Sequence, residues 1–303
     1  MSDTITVGDV SITRVIEWQG AVATVDVIFP ESAPDDWESQ RELLAPDFWN
    51  PSDNAFNIHL QTWVVRSGGM TILVDTGAGN GRDRPNMPAF NDLHTGYLAA
   101  LARAGVAPED VDLVVSTHLH GDHVGWNTVL TGGEFVPTFP NAKYLMARAE
   151  LDFWRPGSPY TSISADAMLN VFEDSVAPVL ASGQVVEWEG RYAIDGDLAL
   201  EIVPGHTPGM SVLKIESGAD RAVLASDIVH SPFQVSEHHV NSCFCEDASL
   251  ARESRARVLR WAADERAIVL PSHLGGHSAF EVSERAGRFE ISGWAGFDRL
   301  TTA

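Results

Sequence analysis

Four side chains that commonly bind metal ions lie within six residues of one another in the segment 117–123. The segment reads Thr-His-Leu-His-Gly-Asp-His and follows directly after an apolar run that is typical of a buried strand. His118 and His120 are two residues apart, so they point the same way on an extended chain. The chain then turns and aims Asp122 and His123 at a neighbouring position. The segment therefore predicts ligands for two adjacent metal ions.

Three more residues of the ligand type follow other strand-like apolar runs, namely His206, Asp227 and His273. Taken singly, each is more often a capping residue or a satisfied core residue than a ligand. Together with the histidine-rich segment, they favour one shared metal site. Imidazole and carboxylate groups suit zinc, which accepts both at about 2.0–2.2 Å.

These motifs, in this order, resemble the metallo-β-lactamase superfamily, in its branch of hydrolases with two metals. The resemblance rests on residues 117–125, on Pro-Gly-His-Thr-Pro-Gly at 204–209, on Ser-Asp at 226–227 and on Ser-His at 272–273. It covers roughly residues 58–275. It implies a mixed α/β fold of the αββα sandwich type, with the metals at one edge between the two sheets.

The resemblance also implies the cofactors and the ligand set. We expect two divalent ions, Zn²⁺ first, with Mn²⁺, Co²⁺ or Fe²⁺ as alternatives. Asp75, in a Val-Asp-Thr-Gly segment, is expected to support the histidine loop. The implied ligands are His118, His120 and His206 for the first metal, Asp122, His123 and His273 for the second, and Asp227 as the bridge between them.

The expected chemistry is hydrolysis by a hydroxide held between the two ions, with Asp122 orienting it and carrying a proton. We interpret the chain as a hydrolase that opens a lactone or cleaves a related ester. His230 is a second candidate catalytic residue, because it lies three residues after Asp227, where the related lactonases have a tyrosine that contacts the substrate carbonyl.

Other readings stay open at this point. They are an organophosphate or thioester hydrolase, a mononuclear iron dioxygenase of the persulfide-oxidising type, and a metal-binding protein without turnover. Gly125-Trp126 weakens the thioesterase reading, since the glyoxalase II-like enzymes typically have two glycines there.

The amino-acid composition limits the classes of molecule that this chain is expected to bind. The formal charge of −22 predicts no nucleic-acid partner, because such a surface repels phosphates. The sequence starts without a secretory signal and has no run of about 20 apolar residues, so we expect a cytoplasmic protein without a membrane span. Cys243 and Cys245 are too few and too close for a disulfide framework, which fits a reducing compartment.

We expect a single domain over residues 1–303. An N-terminal extension at 27–52 is expected to cover the site or a subunit interface, and in the second case the chain forms a homodimer. We predict helices at about 92–104, 164–180 and 248–264. Two positions are open for Trp126, Phe139, Phe153, Trp154 and Tyr160: packing in the core, or an apolar pocket wall above the metals. If several of them form the wall together with Trp37 or Phe48, we expect a small-molecule substrate with an apolar portion.

Overall fold

The apolar runs of the first half form a large mixed sheet in the computed structural model, which describes residues 3–300. The sheet follows the order β1-β2-β4-β5-β6-β9-β10, with β3 paired to β4, while β7 and β8 form a separate hairpin. The strands are β1 (Thr4–Val7), β2 (Val10–Thr24), β3 (Trp49–Asn50), β4 (Ala55–Ser67), β5 (Met70–Val74), β6 (Leu113–Ser116), β7 (Thr128–Thr131), β8 (Glu134–Pro137), β9 (Lys143–Ala147) and β10 (Val185–Trp188).

The second half forms another sheet, in which the strands follow one another in chain order. β14 and β15 are parallel neighbours, whereas the other pairs are antiparallel. The strands are β11 (Arg191–Ala193), β12 (Leu198–Ile202), β13 (Ser211–Ser217), β14 (Asp220–Ser226), β15 (Ile268–Pro271), β16 (Phe280–Arg285) and β17 (Arg288–Trp294).

Short helices connect these strands, and one long helix covers the second sheet. Within residues 3–300, no helix combines the length and the apolar character that crossing a bilayer requires. The helices are α1 (Val25–Ile28), α2 (Pro34–Ser39), α3 (Arg41–Leu44), α4 (Tyr97–Arg103), α5 (Gly121–Val124), α6 (Arg148–Trp154), α7 (Ala177–Ala181), α8 (Phe233–Ser236) and α9 (Ala248–Glu265).

The strands are apolar on both faces because each sheet is covered on both sides. Val115 of β6 and Leu224 of β14 are buried in the same cluster, which lies between the two sheets. Their neighbours Val114 and Val223 point the opposite way, Val114 into a cluster with α4 and α7 and Val223 into a cluster with α9. The result is the four-layer αββα sandwich that the sequence predicted.

The N-terminal extension packs against the second sheet. Trp37 is buried and stacks on Phe233, with ring centroids 4.4 Å apart, and Phe48 stacks on Trp294. Val27 and Ile28, at the start of the extension, line the cavity described below. The extension therefore contributes to one wall of the site, while its part in a subunit interface and the single-domain organisation stay predictions.

Two of the predicted helices are wrong in extent, whereas α9 confirms the third. The helix predicted at 92–104 begins only at Tyr97, since Asp92 has a positive φ of 51° that a right-handed helix excludes. In the range predicted as a helix at 164–180, residues 163–170 form turns and helical residues begin only at 171, directly after Asn170, which has a φ of 67°. A π-helical turn follows at Phe172–Val176, and α7 continues from there.

Gly125 allows the close approach of two loops beneath the site, and replacing it tests that packing. Its amide donates to the carbonyl of Gly77, and a β-carbon at this position would overlap the backbone of Ala78. Gly125→Ala is expected to lower the free energy of unfolding by about 1–3 kcal/mol, because the loops must move apart. Gly96→Ala is the control, since a β-carbon there meets no atom within 4 Å. Equal midpoints for both variants in urea unfolding would contradict this account.

Candidate metal centre

The seven predicted ligands come together at one edge of the sandwich, where four loops meet. β6 delivers the histidine-rich segment, and the parallel strands β14 and β15 deliver Asp227 and His273 side by side. His206 lies in the loop between β12 and β13. The ligand atoms form two groups, each with its atoms within 4.8 Å of one another: His118, His120, His206 and Asp227 in the first, and Asp122, His123 and His273 in the second.

The first group presents three imidazole nitrogens to one point. Nδ1 of His120 lies 3.1 Å from Nε2 of His118 and 3.0 Å from Nε2 of His206. Ligands at about 2.0–2.1 Å from a tetrahedral zinc ion are separated by about 3.3 Å. The spacing of these nitrogens is therefore close to that of a zinc coordination shell.

The second group is built in the same way from two imidazoles and a carboxylate. Nε2 of His123 lies 3.1 Å from Nε2 of His273. Oδ2 of Asp122 lies 3.8 Å from the first of these nitrogens and 3.5 Å from the second. Asp122 is the most exposed member, with 13% of its side chain accessible, so it forms the side of the group that faces the cavity.

Asp227 stands between the groups and gives one carboxylate oxygen to each. Its Oδ2 lies 3.3 Å from Nε2 of His206 and 3.8 Å from Nε2 of His118. Its Oδ1 lies 3.4 Å from Nε2 of His123 and 3.3 Å from Nε2 of His273. This is the arrangement of a bridging ligand, and it has the residue that the resemblance implied.

The electrostatics of the first group favour neutral imidazoles. Burial lowers the pKa of His118 and of His206 well below the usual value, and that of His120 to about 4. A neutral imidazole keeps a lone pair free, which is the form that binds a metal ion.

The second group is dominated by its carboxylates. Burial opposes the protonation of His123, but Asp227, Asp75 and Asp122 together raise its pKa. Burial also opposes the charge of Asp227, but His273, His123 and His230 hold the pKa of this carboxyl well below its usual range. Anionic oxygens and imidazoles thus share one buried site, and this donor set fits dications such as Zn²⁺.

Asp75 fixes the histidine loop from behind. Its Oδ2 lies 2.8 Å from Nδ1 of His123, and it accepts hydrogen bonds from the amide of Thr117 and the hydroxyl of Ser272. A carboxylate on the far ring nitrogen orients a ligating histidine and raises its basicity. Asp75 has a positive φ of 56°, as does Ser226 at 49°, and such strained residues cluster at functional sites.

His230 lies beside Asp227, while its catalytic role stays a prediction. Its Nε2 is 3.2 Å from Oδ2 of Asp227, and its ring centroid is 5.2 Å from that of His206. The ring is buried, and neither of its nitrogens has a hydrogen-bond partner within residues 3–300. His230 therefore has hydrogen-bonding capacity directed at the cavity.

A cavity of about 250 Å³ opens above the two groups. Its floor contains members of both groups and His230, whereas its walls come from several separate segments of the chain. Those walls are mainly apolar. Their residues are Val22, Ala23, Val27, Ile28, Phe56, Ile58, Asn86, Met87, Pro88, Ala89, Phe90, Ser164, Ala167, Met168, Cys243 and Phe244.

Of the two positions left open for the aromatic residues, the pocket wall is wrong. Trp126 donates from its indole to Glu17 and stacks on Tyr97 beneath the site. The remaining candidate wall residues also lie outside the cavity lining: Phe139, Trp37 and Phe48 are buried in the core, Phe153 and Tyr160 stack on each other, and Trp154 packs beside the ring of His120.

Sequence reasoning missed the actual wall residues because they carry no shared motif. Phe56 and Ile58 belong to β4, Met87 and Phe90 to an irregular proline-containing loop, and Phe244 to the loop before α9. The mixture of proline and apolar residues near Met87 is the one local signal that could have marked a wall segment.

Comparison with known proteins gives several similar sequences and folds. An N-acyl homoserine lactonase of Bacillus cereus is 25% identical over 236 residues, which cover 73% of this chain and 83% of the lactonase. Two solved structures have similar folds. AidC, a dizinc quorum-quenching lactonase in complex with a product, has a TM-score of 0.75 at 21% identity and covers 96% of this chain and 97% of its own. The hydrolase AbOPH has a TM-score of 0.79 at 22% identity, with 95% of both chains covered.

The family model that matches is described as the metallo-beta-lactamase superfamily, and it covers residues 61–273. That range includes both groups of ligand-type side chains and the Asp227 that stands between them. The chain therefore belongs to the metallo-β-lactamase superfamily.

Proposed function

We propose that this superfamily member is a hydrolase that binds two divalent metal ions, Zn²⁺ first, and opens a lactone or cleaves a related ester with an apolar portion. The observation that carries the proposal is the position of Asp227 between two complete groups of donors, beneath an apolar cavity. The residues of the two groups would hold the ions, and two bound dications would supply a water activated near neutral pH and polarise the oxygen under attack.

The chain's own residues supply the remaining functions. Asp122 lies at the cavity floor with its carboxylate partly accessible, so it can orient the attacking water and accept its proton. His230 lies on the other side of Asp227 and can donate a hydrogen bond to a substrate carbonyl. Met87, Phe90 and Phe244 place apolar side chains above the floor. A bound substrate that excludes water there would strengthen the interaction of Asp122 with the attacking water and that of His230 with the carbonyl.

The cavity supports a neutral substrate. Within the described residues, its lining has carboxylates and imidazoles but neither lysine nor arginine to pair with an anionic group. A phosphate monoester would therefore lack a partner, whereas a lactone or an aryl ester would place its apolar part against the walls. The similarity to an N-acyl homoserine lactonase supports the lactone as the first candidate.

A phosphotriester is the second candidate, because it is also neutral and apolar and the same walls would accept it. The activated water can attack a phosphoryl centre as well as a carbonyl. Lactones and phosphotriesters differ in shape at the reacting centre. The ratio of the kcat/KM values on the two substrate classes would therefore distinguish between them.

A metal and substrate panel tests the proposal. Metal-free protein is reloaded with Zn²⁺, Mn²⁺, Co²⁺ or Fe²⁺, and kcat/KM is measured on acyl lactones, aryl esters, phosphotriesters, thioesters and β-lactams. We expect two zinc ions per chain and the highest kcat/KM on a lactone or ester. If kcat/KM is highest on a phosphotriester or a thioester, that compound class replaces the lactone or ester as the proposed substrate. One iron per chain with oxygen uptake would indicate a dioxygenase, and metal binding without turnover would contradict the hydrolase.

Asp122→Asn tests the proton carrier in the same assay. We expect kcat to fall about 10²–10⁴-fold, because the amide neither carries a proton nor provides an anionic ligand. The fold is expected to remain, as shown by circular dichroism, since the side chain lies at the cavity rather than in the core. Asp112→Asn is the control at an exposed carboxylate outside the site. Wild-type turnover by Asp122→Asn would contradict this role.

His230→Phe tests the contact with substrate. The substitution keeps a buried ring but removes both nitrogens, so we expect kcat/KM to fall about 100-fold, as for the loss of one donor to a developing oxyanion. Metal content should stay at two ions per chain. His238→Phe is the matched control, because His238 packs on Phe289 away from the cavity. Equal kinetics for the two variants would remove His230 from the site.

A further inference from the structure

One buried carboxylate joins the two loops that carry the histidines of the first group. Glu150 lies in α6 and is 1% exposed. Its Oε2 accepts hydrogen bonds from the amide of Leu119, at 3.0 Å, and from the indole of Trp154, at 3.0 Å. Its Oε1 accepts from the amide of Gly209 at 2.7 Å. The side chain of Glu150 thus joins the backbone at Leu119 to the backbone at Gly209, and it also bonds to Trp154 of its own helix.

The two segments belong to different sheets. Leu119 lies between His118 and His120 in the loop after β6, whereas Gly209 lies in the loop that contains His206, between β12 and β13. A shift of one sheet against the other would change the distance between His120 and His206. Together with the bond from the amide of Ser211 to the carbonyl of Thr117, Glu150 ties these loops across the edge of the sandwich.

The contacts require a carboxylate. Each of the three donors is an N–H group, and a glutamine amide would present its own N–H₂ to one of them. Burial raises the pKa of Glu150, while the Thr207 hydroxyl and these N–H groups stabilise its anion. Gly209 is also needed, because a β-carbon there would lie 2.8 Å from the amide nitrogen of Glu150.

We propose that Glu150 is a positioning residue that sets the spacing of His118, His120 and His206, and thereby the metal affinity of the first group. This role rests on the proposed function, since it takes the first group to be a metal site. Loss of a buried carboxylate that orients ligands typically lowers metal affinity about 10–100-fold. The side chains of the second group are held by other residues, including Asp75. The metal affinity of the second group should therefore not change.

The test measures zinc affinity without turnover, by competition with a chromophoric chelator. In a His273→Ala protein, the first group keeps all its ligands, and adding Glu150→Gln should weaken zinc binding about 10–100-fold. In a His206→Ala protein, the second group keeps its ligands, and the same change should alter the zinc affinity of that group by no more than about twofold, within the error of additivity for independent sites.

Glu17→Gln is the matched control in the His273→Ala protein. Glu17 is likewise buried and accepts from two backbone amides, of Ala78 and Gly79, and from the indole of Trp126, but it does not contact the loops of the first group. We expect it to leave the zinc affinity of the first group unchanged. If both glutamate variants weaken zinc binding equally, the effect is a general one of buried carboxylates and the positioning role is overturned.

Other outcomes are equally decisive. Unchanged zinc affinity with Glu150→Gln, or equal losses in both histidine backgrounds, would overturn the positioning role while leaving the metal site in place. If the His273→Ala protein itself binds no zinc, the proposed function fails, and the role of Glu150 fails with it. Should Glu150→Gln not fold, Gly209→Ala keeps the carboxylate but moves the loop away from α6. It should weaken zinc binding in the same direction, and an unchanged affinity would overturn the proposal.

Discussion

The division of one buried carboxylate between two groups of imidazoles is the interaction on which the site depends. Asp227 directs Oδ2 towards His206 and Oδ1 towards His273, although its side chain is buried. Such a charge is stable only with partners on both sides, because burial of an isolated carboxylate costs several kcal/mol. The imidazoles of the two groups surround it, and a pair of dications at the same place would satisfy all the donors together.

The sandwich makes this arrangement rigid. Parallel neighbours β14 and β15 end at the same edge as β6, so residues that are more than 100 positions apart in sequence reach one point. Buried carboxylates then hold the loops in place: Asp75 orients His123, and Glu150 joins the loops of the first group. The candidate ligands are thus held in place by hydrogen bonds from side chains outside the two groups.

The lining of the cavity limits which molecules could reach the two donor groups. Its floor is polar and its walls are apolar, with Met87, Phe90 and Phe244 facing the two groups from different loops. The N-terminal extension adds Val27 and Ile28 to this wall, while its aromatic residues pack into the core. The residues of the two donor groups and most residues of the apolar walls therefore come from different segments of the chain.

The sequence by itself indicated the fold class through its resemblance to a known superfamily. It also marked the seven candidate ligands, because they follow apolar strand-like runs and the histidine-rich segment concentrates four of them. It also placed α9, since helical periodicity is a local signal. Only the tertiary structure decided which aromatic residues line the cavity, why Trp126 lies beneath the site, and that Glu150 connects two sheets. Those features depend on contacts between distant loops with irregular backbones, and such contacts leave no periodic pattern in the sequence.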